Sequence, residues 1–92
     1  CSRNEFVLSR QLLRSGTSVG AMLKESEHAQ SKSDFINKLS IALKEANEAE
    51  YWILLLHETE YISGIEYRSI VKDCQEIVRL LIAIIKTSKQ NI

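Results

Sequence analysis

Between residues 33 and 60, apolar side chains recur at alternating steps of four and three: Phe35, Leu39, Ala42, Ala46, Ala49, Ile53 and Leu56. That alternation is the period of a helix whose apolar seam faces partner helices. Three of the seven seam positions are alanine, which lets a neighbouring backbone come close. No proline or glycine interrupts the run, so the spacing predicts one helix over 33–60, about which the rest of the chain is organised. Its last part, YWILLL, is apolar on more than one face. Ile53 and Leu56 continue the seam, while Trp52 and Leu55 point elsewhere and call for a second packing surface.

The flanking segments carry weaker versions of the same pattern. Residues 5–29 read as a first helix, with Leu8, Leu12, Val19 and Leu23 near one face and Leu13 beside them. Its middle, RSGTSVGA, places Gly16 and Gly20 one turn apart among small residues. A glycine in a helix interior costs about 1 kcal/mol relative to alanine. Close helix–helix approach across the Gly16/Gly20 face would offset that cost; a break at Gly16 into two helices is the other reading. A phosphate-cradling loop needs Gly-Lys-Ser/Thr, which this stretch lacks. Residues 28–32 link to the central helix, and Ser31 with Asp34 three positions on resembles a capping box. After a second turn at 61–65, Ser63 and Glu66 form a full box and open a last helix that runs to about residue 88. There Tyr67, Ile70, Cys74, Ile77, Leu81 and Ile84 alternate steps of three and four. Val71, Val78, Ile82 and Ile85 widen the stripe, and Leu80 lies further round. The pattern as a whole predicts an all-α, antiparallel up-and-down bundle forming a single domain over residues 1–92.

Charge changes the picture only locally. Twelve bases balance twelve acids, so no global field draws the chain to nucleic acid or to an anionic membrane. Residues 1–24 nevertheless carry four bases against one acid, residues 25–60 three against eight, and residues 61–92 five against three. Solvated faces and pairing between the acidic middle and its basic flanks account for this. A basic surface assembled in an oligomer is the alternative, its phosphate contacts drawn from Arg3, Arg10 and Arg14 and from the row Arg68, Lys72, Arg79 and Lys86. Glu50 falls on the apolar side of the central helix, where an unpaired carboxylate is costly. Arg14 is its expected partner in an internal ion pair.

Catalytic chemistry is not legible in this chain. His28 and His57 lie in different segments, neither in a metal-binding spacing. Cys1 and Cys74 suggest neither a disulfide framework nor a metal site, and Cys74 reads as a small buried hydrophobe. Tyr51-Trp52 reads as core or interface before base stacking. No enzyme, cofactor, metal or small-molecule substrate is expected. The most apolar stretch, 77–85, contains Arg79 and is about half the ~20 residues a membrane span needs. No membrane association and a cytoplasmic location follow. The chain begins at Cys1 without methionine, which suggests a preceding segment.

Three blocks together, FVLSRQLLRSGTSVGA (6–21), SKSDF (31–35) and LSIALKEANEAEYW (39–52), resemble the four-helix-bundle family encoded by intervening sequences within bacterial 23S rRNA genes. The similarity continues through LLHETEYIS and the last helix to IIKTSK. The resemblance implies four antiparallel helices, of which this chain shows three, and assembly as a homopentamer. It also implies kinship with the accessory factor of diversity-generating retroelements, a basic pentameric barrel that contacts a reverse transcriptase and nucleic acid. Ala21-Met22 departs from the Ala-Asn of many members, and the neutral charge departs from the basic retroelement relative. No enzymatic activity comes with the resemblance.

The functional expectation is a non-enzymatic, self-assembling scaffold with an RNA or protein client, the latter of the reverse-transcriptase type. The alternative is a nucleic-acid-binding module. Tyr51 to Leu56 and Ile77 to Ile85 each carry an apolar face with no intramolecular claimant, and Trp52, Leu55, Leu80 and Ile82 are the expected oligomer interface.

Overall fold

A computed structural model of the chain describes residues 3–90, with side chains for 5–90. Three helices follow in order: α1 (Arg3–Ser26), α2 (Lys32–Glu58) and α3 (Gly64–Gln90). Helix α1 runs unbroken through both glycines, so Gly16 does not divide it.

Local chemistry sets the helix ends. Ser31 is the N-cap of α2, and its hydroxyl accepts from the Asp34 N–H at 3.0 Å. The Asp34 carboxylate reaches one residue further back, accepting from the Gln30 N–H at 3.3 Å. At α3 the capping box is complete. The Glu66 N–H donates to the Ser63 hydroxyl at 3.1 Å, and the Ser63 N–H donates to the Glu66 carboxylate at 2.8 Å. The Ser63 backbone N–H, and after it the Ser63 side chain, hold the Glu66 carboxyl below the usual range. Helix α2 ends in a Schellman arrangement, with Glu60 N–H on the His57 carbonyl and Tyr61 N–H on the Leu56 carbonyl, each at 3.0 Å. Glu60 adopts φ 65°, a left-handed conformation that glycine would take more readily.

All three helices bury the same alternation. In α2, Leu39, Ala42, Ala46, Ala49, Ile53 and Leu56 are buried and Phe35 is half-buried, as the spacing implies. In α1 Ser15, Val19 and Ser26 are buried and Leu8, Leu12 and Met22 half-buried on one line, completed by two serines that hydrophobicity alone passes over. Ser15 is fully buried, and Ser26 turns its hydroxyl onto the Leu23 carbonyl at 2.6 Å. In α3 the core line is Tyr67, Val71, Cys74, Val78, Leu81 and Ile85. The expected Ile70, Ile77 and Ile84 lie one flank away and remain 40–43% exposed. Cys74 and Leu81 belong to both candidate seams. The choice between seams falls to α2, which receives Val78, Leu81 and Ile85 against Leu39, Ala42 and Ala46.

The small-residue contact also differs from expectation. A Cβ added at Gly16 or Gly20 would meet nothing within 4 Å, and both glycines are exposed. The close helix packing expected at this pair is therefore not made among the described residues. At 100° per residue, Gly16 and Gly20 stand one step round from Ser15 and Val19, which do face α2.

Helices α1 and α3 each lie against α2, but no Cα of one comes within 8 Å of a Cα of the other. The helices form an elongated layer of 48 × 21 × 14 Å with a radius of gyration of 14.9 Å. A compact chain of this length would have about 12 Å.

Candidate assembly and binding surfaces

The α1–α2 face is closed by ion pairs. Arg14 reaches across to Glu48 at 2.9 Å and Glu45 at 3.4 Å, and Lys38 meets Glu25 at 3.6 Å. The index on one helix rises as that on the other falls, so the two are antiparallel. Arg14 is further held by the Gln11 side-chain oxygen at 3.3 Å and the Ser15 hydroxyl at 3.4 Å.

The expected Glu50–Arg14 pair does not form. Glu50 lies on the α3 side of α2, where it accepts from Gln75 Nε2 at 3.2 Å. Its half-buried position lets water share the charge, and an internal cation is not needed. The wheel places Glu50 correctly near the apolar side; α1 meets the opposite flank of α2, where Glu45 and Glu48 stand.

Of the α1 bases, Arg14 is thus committed to carboxylates, Arg10 is exposed, and the Arg3 side chain lies outside the described residues. On α3, Arg68, Lys72, Arg79 and Lys86 are all exposed. No carboxylate among the described residues is within salt-bridge distance of them.

The expected interface residues fall on different faces. Leu55 lines a shallow hollow with Val7, Leu8 and Thr59, and is half-buried. Trp52 is half-buried too, edge-on to Tyr51 at 5.1 Å between ring centroids, and its indole N–H is enclosed without an acceptor. Leu80 is 62% and Ile82 49% exposed. Two residues apart on a helix means about 200° of rotation, so these two point to opposite flanks of α3.

The buried Cys74 thiol donates to the Ala46 carbonyl at 3.4 Å; burial, and secondarily the Glu50 carboxylate, push it up from the ordinary thiol range. His57 stacks on Tyr67 at 4.3 Å, its Nδ1 enclosed and unbonded. Among the described residues no group of three or more His, Cys, Asp or Glu is placed to hold a metal ion. No described helix is long and apolar enough to cross a membrane.

Comparison with known proteins agrees with the fold. The sequence profile of the 23S rRNA-intervening sequence protein family matches residues 1–83. The chain belongs to this family. A crystal structure of a protein of unknown function from the S23 ribosomal protein family of Bacteroides thetaiotaomicron is 64% identical in sequence. Its similarity covers 87% of this chain and 71% of that one, with a TM-score of 0.85. No curated protein matches the sequence. At this identity the helical layer described above is the fold that this intervening-sequence protein shares with its relative.

Proposed function

We propose that this intervening-sequence protein is a non-catalytic, self-assembling helical scaffold of the cytoplasm that acts through an RNA or protein client. The observation that carries the reading is apolar surface left over after each helix has buried its seam. Phe6 (61%), Leu13 (70%) and Leu80 (62%) stand in water together with the Ile70, Ile77 and Ile84 flank. Surface of this kind is what subunits share when they close into a ring. The groove between α1 and α3 is where a fourth helix of the kind the family resemblance implies would lie. The faces that then remain, around Trp52 and Leu55 on α2 and around Leu80 on α3, join subunits, and the resemblance makes five the number. Light scattering on the Leu55→Lys and Leu80→Lys variants tests this. The variants are expected to dissociate the assembly while keeping the helical circular-dichroism signal. Loss of helix at the same point as loss of assembly would return these residues to the subunit core and overturn the reading.

The α3 row supports a second reading, in which the assembled protein binds nucleic acid. Four exposed bases without carboxylate partners can neutralise phosphates. Binding would then weaken with salt, with a log–log slope of roughly −3 for each subunit engaged on a single strand. A scaffold with a protein client binds RNA weakly at every physiological salt concentration.

A further inference from the structure

We infer that the outward groove between α2 and α3 docks an acidic, amphipathic helix of a partner protein, an inference that rests on the scaffold reading and specifies its client. Two contacts set the register of the groove. Gln75 donates to Glu50, and Ile36 at the start of α2 shares one concavity with Lys89 at the end of α3. With the helices antiparallel, Leu43 then stands opposite Ile82, and Leu54 opposite Val71. Ile36, Leu43, Asn47 and Leu54 follow one another at steps of seven, four and seven, which keeps them on one stripe of α2. Val71, Gln75, Val78 and Ile82 do the same on α3 at steps of four, three and four.

The floor of this groove is apolar and only partly covered. Ile36, Leu43, Val71 and Val78 are half-buried, while Leu54 is 36% and Ile82 49% exposed. From Ile36 to Leu54 is about 27 Å at the helical rise, room for roughly five turns of a docked helix.

Charge selects the occupant. Arg79 and Lys86 flank Ile82 on one rim, and Lys44 stands on the α2 rim. All three are exposed, with no carboxylate among the described residues within salt-bridge distance. The acids that border the groove are Glu50, already bonded to Gln75, Glu48, which shares a hollow with Leu43, Lys44 and Asn47 but is paired with Arg14, and Glu58 at the far end beside Arg68. An apolar floor between cationic rims fits a helix with an apolar stripe flanked by carboxylates. A bare polyanion would leave the floor unused.

The test uses the intact protein and a labelled synthetic peptide of about 18 residues, with leucines along one helical face and glutamates on both flanks. The controls are the same peptide with lysine in place of glutamate and a single-stranded RNA homopolymer. Fluorescence anisotropy should show saturable binding of the acidic peptide and none of the basic one. Ile82→Glu should weaken binding at least ~10-fold, and so should Arg79→Glu combined with Lys86→Glu, with helical signal and assembly mass unchanged. Ile82→Ser reads the same contact if Ile82→Glu does not fold. Equal binding of the acidic and basic peptides, or an unaffected Ile82→Glu variant, overturns the proposal. So does RNA that displaces the peptide through Arg79 and Lys86 while ignoring Ile82. Dissociation of the assembly by Ile82→Glu would give the groove to a second copy instead. Absent peptide binding with the assembly intact removes the docking site alone, whereas a monomeric wild type removes the scaffold reading.

Discussion

The Cys74 thiol is enclosed between α2 and α3, bonded to the Ala46 carbonyl and raised above the ordinary thiol range by burial and by Glu50. Thiolate is the reactive form, so the folded protein should shield this residue from alkylation. In a Cys1→Ser background, Cys74 should react with a thiol reagent at least ~10-fold more slowly than in denaturant; equal rates would show that the site is open. Gly16 gives the opposite expectation. A methyl group there meets nothing within 4 Å, so Gly16→Ala should raise stability by about 0.5–1 kcal/mol, read from the denaturation midpoint. A loss of stability would mean that something outside these helices packs on this face. The Arg14 fork makes a third case. Its side chain is half exposed, so a double-mutant cycle of Arg14→Ala with Glu48→Ala should give a coupling of only about 0.3–1 kcal/mol. The same cycle with Glu50→Ala should be additive. A larger coupling to Glu50 would restore the pairing that the sequence suggests. The wheel shows that Glu50 lies near the apolar side, but the rotation of α1 about α2 depends on Ser15 and Ser26, which carry no hydrophobic signal.

At the level of the element, the α2 seam was legible because all seven of its positions are apolar and three of them, Leu39, Ala46 and Ala49, have only polar neighbours one step away. In α3 two lines compete, Ile70, Ile77 and Ile84 against Val71, Val78 and Ile85. Hydrophobicity does not separate them; the shape of the α2 surface does. Both capping boxes were visible in sequence, since Ser31 and Ser63 each precede an acid by three residues. The end of α2 was not, because Glu60 takes the left-handed position where glycine is usual. That conformation costs a residue with a Cβ about 1 kcal/mol or more. Glu60→Gly should therefore stabilise the protein by up to ~1 kcal/mol in chemical denaturation, after the greater freedom of glycine in the unfolded chain is offset. A destabilised variant would indicate that the Glu60 side chain makes a contact worth more than the strain.

For the whole molecule, the all-α up-and-down arrangement follows from three helices that share one alternation of fours and threes. The surplus apolar surface is legible too, as segments greasy on more than one face. How that surplus divides among an α1–α3 groove, a subunit interface and the α2–α3 groove required the helix rotations, which place Leu80 and Ile82 on opposite sides. That surplus is expected to be covered in solution. Sedimentation velocity over a micromolar concentration series measures this directly. The expected result is one species at an integral multiple of the 10.5 kDa chain mass, five by the family resemblance. A single species at 10.5 kDa, with helical content intact across the series, would contradict it.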